Sequence, residues 1–338
     1  MAFDPIRFTR QLVDVESISG NETACGELLF RELTTLGMKV KRIAIEKDRF
    51  DVFATFSPTP QPEVYLSTHF DTVPPFIPSS EDSENIYGRG SCDAKGIIAA
   101  MMGAALRLHE QKKDVGLLFL AGEEQGSDGA KIANAKAQEL HGGKCRFLIN
   151  GEPTESRIAV ASKGTLRCEV TASGKMAHSA YPHLGESAIE KLVQVLEQVR
   201  TMPLPSDPEI GPCTMNMGLI EGGRAPNVIP DHAKAHLLYR LIGPSDALKK
   251  KIKETVGDLA KVEFTLEIPF LRLATVDGIP TMTAAFTTDI PFLSNWGRPV
   301  LFGPGSIHVA HTDREFISKR ELLAAVETYV KIASAQTK

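Results

Sequence analysis

The sequence predicts a two-domain α/β protein: a mainly parallel sheet with its helices, into which a ferredoxin-like α+β unit is inserted. Three observations carry this. At 338 residues the chain exceeds the roughly 250–300 at which one hydrophobic core stops growing. In the first half, short apolar runs alternate with helical stretches, the pattern of strands buried on both faces. From about Thr165 polar and apolar residues alternate instead, the mark of half-solvated strands.

Ile6, Phe8, Leu12 and Val13 fall on one side of an opening amphipathic helix, and a second helix runs from about Asn21 to Leu36, where Gly37 stops it. Glu63–Thr68 (EVYLST) reads as a strand ending at His69, and Gly96–Glu110, rich in Ala, Met and Leu, as a helix. Val115–Leu120 (VGLLFL) is a strand, Lys131–Leu140 a helix, and Arg146–Asn150 (RFLIN) a strand ending just before Glu152. The inserted unit opens with strand Thr165–Ala172, which presents Leu166, Cys168, Val170 and Ala172 on one face. Helix Glu186–Arg200, strands Cys213–Ile220 and Ala233–Leu241, helix Ser245–Leu259 and strand Val262–Ile268 complete the order βαββαβ. Strand Val300–Phe302 and helix Lys319–Ala333 return to the first domain. The expected division is therefore 1–163 with 270–338, and 164–269 for the insertion.

A hydrophobic fraction of 42% and a charged fraction of 24% are those of an ordinary globular protein. With a net charge of −4 and no long basic run, a nucleic-acid or anionic-membrane surface is not expected. The N-terminus lacks the apolar core of a signal peptide, and no run of about 18 apolar residues offers a membrane span. Five scattered cysteines without a CxxC pair read as reduced thiols rather than a disulfide framework, so a cytoplasmic protein is expected.

Acidic residues and histidines recur just after the expected strands. His69 and Asp71 follow EVYLST, Glu123 and Glu124 follow VGLLFL, Glu152 follows RFLIN, and His311 lies beyond VLFGPGSIHVA. Asp93 immediately precedes the Ala-rich helix. In an open α/β sheet ligands bind outside the carboxyl ends of the strands, so these separate segments can converge. Two histidines and several carboxylates suit zinc or a similar divalent ion, which would also relieve the repulsion among the carboxylates. Singly each has a plain alternative: an H-x-D in a loop, a solvated Glu-Glu pair, an Asp acting as a helix N-cap. Their recurrence at successive strand ends favours one shared site.

The motifs STHFDTVP, YGRGSCDAKG, LFLAGEEQGSDGA, NGEPT, GKMAHSAYPHLGESAI, EGGRAPNVIP and FGPGSIHVAHTDREFI resemble those of the zinc-dependent M20 peptidases and aminoacylases, the group that includes acetylornithine deacetylase and succinyl-diaminopimelate desuccinylase. The resemblance covers nearly the whole chain. It implies a zinc-peptidase catalytic domain with an inserted lid and dimerisation domain. It implies one ion held by His69, Asp93 and Glu152 and another by Asp93, Glu124 and His311, rather than His308. Asp71 would orient His69, Glu123 would be the general base, and the Asp93–Ala94 peptide would be cis. His178, supplied by the partner of a homodimer joined through 164–269, would complete the catalytic set. Asn227, Arg240, Gly303 and Gly305 are implied in substrate binding, although Leu238-Tyr239-Arg240 stands where relatives often carry Asp-x-Arg. The expected cofactors are two divalent ions, zinc first, with cobalt or manganese as alternatives. The leading expectation is deacylation of N-acyl amino acids in the manner of acetylornithine deacetylase. The alternative is a dipeptidase or carboxypeptidase on the same scaffold. A non-catalytic binding protein ranks last, because Glu123 and every implied ligand are present.

Overall fold

The computed structural model describes residues 3–57 and 61–336. The chain forms two compact units, one of Met1–Val160, Leu273–Met282 and Thr288–Lys338, the other of Ala161–Arg272 and Thr283–Thr287. The second unit thus takes in a short return segment beyond the expected 164–269.

The first unit is built on a six-stranded sheet in the order Lys39–Glu46, Arg49–Thr55, Gly116–Leu120, Val64–His69, Phe147–Asn150, Arg298–Leu301. The last four strands run parallel. The first two form an antiparallel hairpin against them, which was not anticipated from the sequence. Charged residues dominate Lys39–Glu46 (KVKRIAIE) and mask its alternation; as the edge strand it leaves them in solvent, where charge discourages edge-to-edge pairing. The expected helix Lys131–Leu140 is two, Asp128–Ala135 and Ala137–His141, interrupted at Lys136. Helix Lys95–Glu110 is the centre of the unit, with twelve of its 16 residues buried, and it packs against helices Pro5–Val13 and Lys319–Gln336 and strands Val64–His69 and Gly116–Leu120. Its small residues permit this approach: a Cβ at Gly103 would lie 3.3 Å from Val326 and 3.4 Å from Pro5.

In the second unit four antiparallel strands lie in the order Lys261–Ile268, Gly164–Ser173, His232–Leu241, Thr214–Gly222. In chain order that is fourth, first, third, second, the ferredoxin-like arrangement. Helices Ala188–Thr201 and Asp246–Val256 pack on this sheet. Ser187 caps the first by accepting the Glu190 N–H, so it begins later than the expected Glu186. Along His232–Leu241 the residues Ala233, Ala235, Leu237, Tyr239 and Leu241 are buried, while the intervening residues line the opposite face. No helix among the described residues is long and apolar enough to cross a membrane.

Candidate active site

Three parallel strands deliver the central side chains. His69 is the last residue of Val64–His69, Glu123 and Glu124 follow Gly116–Leu120, and Glu152 follows Phe147–Asn150. Asp93 precedes helix Lys95–Glu110, where a carboxylate meets the positive end of the helix dipole. The two oxygens of Asp93 face different histidines: Oδ1 is 3.1 Å from His69 Nε2, and Oδ2 is 3.4 Å from His311 Nε2. Glu152 Oε2 lies 3.9 Å from His69 Nε2, and Glu124 Oε1 lies 2.8 Å from His311 Nε2. Two groups result, His69 with Asp93 and Glu152, and Asp93 with Glu124 and His311, each offering ligand atoms within 4.8 Å of one another. His308, by contrast, is largely exposed and its nearest carboxylate is Glu155 at 4.0 Å. The Asp93–Ala94 peptide is cis.

Burial disfavours a charged His69, yet its bonds to Asp71 and Asp93 outweigh that and hold the imidazole well above its ordinary value. Asp93 and Glu124 likewise lift His311 to about 10. Burial opposes ionisation of Asp93, but both histidines together keep it well below the usual carboxylate range. Glu152 and Glu123 go the other way: burial, and then neighbouring carboxylates, push each well above its ordinary value. Glu152 Oε1 is buried with no hydrogen-bond partner. Such a set of crowded, opposed carboxylates is what a divalent cation neutralises.

Asp71 organises the turn that carries Glu123 and Glu124. Its Oδ1 accepts the Glu123 N–H at 3.0 Å and its Oδ2 accepts the Glu124 N–H at 3.2 Å. Ser19 Oγ donates to Oδ2 at 2.6 Å, and His69 Nδ1 lies 3.4 Å from Oδ1. Gly122, at φ +77°, lets the chain turn into this position; a Cβ there would sit 2.0 Å from Asp128 Oδ1.

Gly303 and Gly305, implied as substrate contacts, are buried instead. A Cβ at Gly303 would lie 2.3 Å from Glu152 O, and one at Gly305 would lie 2.5 Å from Cys92 Sγ. They let ligand-bearing loops pack closely. His178, Asn227 and Arg240 belong to the second unit. His178 and Asn227 are exposed neighbours: Ala177–His178 pairs antiparallel with Val228–Ile229, and Asn227 O accepts the Ser179 N–H at 3.0 Å. Arg240 lies on the sheet face away from the core, donates to Thr165 Oγ1 at 2.9 Å, and has no carboxylate partner among the described residues.

Two buried acids near these groups were given no role from the sequence. Asp289 has Oδ1 without a partner among the described residues, and burial raises its carboxyl to about 7. Glu315 gathers backbone N–H groups next to Asp93. Glu315 had a signal, its place four residues after His311; Asp289 had none.

The model of the peptidase dimerisation domain of the M20 type matches residues 160–263, and that of peptidase family M28 matches residues 51–207. A probable carboxypeptidase of Aspergillus flavus is 37% identical across 98% of this chain and 87% of that protein. A peptidase M20 domain-containing protein of Schizosaccharomyces pombe is 34% identical across 97% of this chain and 83% of its own length. Among solved structures, the aminopeptidase PepT of Bacillus cereus superposes with a TM-score of 0.82 at 24% identity, covering 99% of this chain and 98% of that one. An M20 family metallo-carboxypeptidase of Sulfolobus solfataricus superposes with a TM-score of 0.76 at 16% identity, covering 98% and 99%. These two structures speak to the fold alone.

Proposed function

The chain belongs to the M20 family of metallopeptidases, metal-dependent hydrolases of peptide amides, and from that premise we propose that it is a carboxypeptidase, releasing the residue that bears a free α-carboxylate. The observation that supports this choice is the name shared by relatives 36–38% identical across 98% of the chain, probable carboxypeptidase. Deacylation in the manner of acetylornithine deacetylase, the leading expectation from the sequence, gives way to the alternative on that ground.

His69, Asp93 and Glu152 would hold one divalent cation, and Asp93, Glu124 and His311 a second. The donors fit: they are imidazole nitrogens and carboxylate oxygens without thiolates, and Glu152 Oε1 has no hydrogen-bond partner among the described residues. Zinc suits this set, with cobalt and manganese as alternatives. Such cations supply Lewis acidity, making water acidic near neutral pH and polarising the scissile carbonyl. Glu123 takes a proton from the attacking water and passes it to the departing amine. Asp71 keeps Glu123 aimed by holding its backbone N–H. Arg240, half-buried and without an acidic partner among the described residues, clamps the substrate carboxylate.

His178 of the partner subunit donates a hydrogen bond to the oxyanion, in a homodimer joined through the second unit. Exposed Ile189 and Val193 on helix Ala188–Thr201, with Leu219 and Ile220 on the edge strand Thr214–Gly222, support that interface. Exposed apolar side chains beside an unpaired strand edge are a surface that self-association covers.

A hydrolysis panel on metal-reconstituted protein tests the reading. N-terminally blocked dipeptides with a free carboxylate should be cleaved, and their C-terminal amides should not. Faster hydrolysis of N-acetylornithine than of any peptide would restore the deacylase reading. Cleavage confined to peptides with a free N-terminus would replace it with an aminopeptidase.

A further inference from the structure

We propose that Glu315 is a positioning residue that locks together the two loops bearing Asp93 and His311, and thereby sets the affinity for the second ion; this rests on the metal reading above. Glu315 is 2% exposed, and no strand or helix ladder uses its carboxylate. Its Oε1 accepts three backbone N–H groups, from Gly90 at 2.9 Å, Cys92 at 3.1 Å and Asp93 at 3.1 Å. Its Oε2 accepts from Arg89 Nη1 at 2.7 Å. The same Arg89 nitrogen donates to Thr312 O at 3.0 Å, and the Gly88 N–H donates to Glu315 O at 3.1 Å. Residues 88–93 are thus tied to residues 312–315 by six hydrogen bonds, four of them made by one side chain.

This convergence has a directional consequence. Asp93 donates its own N–H to Glu315, and His311 stands four residues before Glu315 on the same segment. Both are ligands in the group with Glu124. The group with His69 and Glu152 shares only Asp93; its other two ligands come from the ends of sheet strands, which Glu315 does not touch. Loosening Glu315 therefore releases two ligands of the second ion and one of the first. A carboxylate is required because three donors crowd one oxygen while a guanidinium faces the other. A glutamine amide in the same place turns an NH₂ toward either the backbone donors or Arg89.

Metal-free wild type, Glu315→Gln and Glu315→Asp full-length chains would be titrated with Co²⁺. The visible ligand-field bands report each site, and elemental analysis gives the ion count. Wild type should take up two ions. Glu315→Gln should keep its first-ion affinity within about threefold and lose about tenfold or more for the second, in the range known for outer-shell partners. Glu315→Asp, which retains the charge, should fall between them. Two wild-type affinities in Glu315→Gln, or equal losses at both sites, overturn the proposal. A wild type that binds fewer than two ions sinks the metal reading and the clamp with it; two ions with an indifferent Glu315→Gln sink the clamp alone. Should the variants fail to fold, amide hydrogen exchange in metal-free wild type decides. The N–H groups of Gly90, Cys92 and Asp93 should be protected before metal is added, and rapid exchange there contradicts a preformed clamp.

Discussion

Replacing Asp71 with Asn tests how the base-bearing turn is held. The carboxylate is fully buried and meets donors on both oxygens. Glu123 N–H and His69 Nδ1 face Oδ1, while Ser19 Oγ and Glu124 N–H face Oδ2. An asparagine keeps one acceptor oxygen. Its better orientation places that oxygen at Oδ1 and the NH₂ at Oδ2, because the Ser19 hydroxyl can rotate and accept whereas the Glu124 N–H cannot. The charge-assisted bond from the Glu124 N–H, worth about 1.5–3 kcal/mol, is then lost and its donor has no acceptor. The expected destabilisation of the metal-free chain is therefore about 1.5–3 kcal/mol by urea denaturation. Because the same turn carries Glu124, metal affinity should drop about ten- to a hundredfold in a parallel titration. A loss below about 1 kcal/mol with unchanged metal affinity would refute this account of Asp71.

Other expectations follow from the same geometry. His311→Ala should leave one ion per chain where wild type holds two, and an unchanged count by elemental analysis would remove His311 from the ligand set. Asp289 has its carboxyl raised from 3.8 to about 7 by burial, so folding favours its protonated form. Its contribution is complete below the unfolded value and is lost as pH rises through about 7, so Asp289→Asn should gain on wild type between about pH 5 and about pH 8, by on the order of 3 kcal/mol. A melting-temperature difference that is the same at both pH values, measured on metal-free protein, would contradict that sign. Mixing inactive His178→Ala with inactive Glu123→Ala chains under confirmed subunit exchange should restore partial activity, since one site of each mixed dimer has both groups. Exchange without restored activity rules out sharing of His178.

His69, Asp93, Glu123, Glu124 and Glu152 were legible because each lies within a few residues of a strand or helix end, where position along the chain reports position in the sheet, whereas His311, in a turn well past Leu301, was legible through its motif. His141 was not: it reads as a loop residue before two glycines. Helix Ala137–His141 turns its ring inward, where Nε2 meets Asn295 O at 3.1 Å and the ring packs edge-on to Trp296. Strand Lys39–Glu46 was hidden by its own charges, which an edge strand tolerates and a central strand does not. Glu315 acts on backbone more than 220 positions away in the chain, and its place four residues after His311 is the local sign of that contact. Gly303 and Gly305 entered only through the resemblance; their missing side chains allow close packing against Glu152 and Cys92.

The central claim is that Glu123 acts as general base beside a two-ion site, and Glu123→Gln with its metal content known tests it most directly. The variant should retain two ions per chain by elemental analysis, since Glu123 is the base and not a ligand. Its kcat on an N-blocked dipeptide should fall about a hundredfold or more. Activity near wild type, or the loss of an ion, would contradict the account.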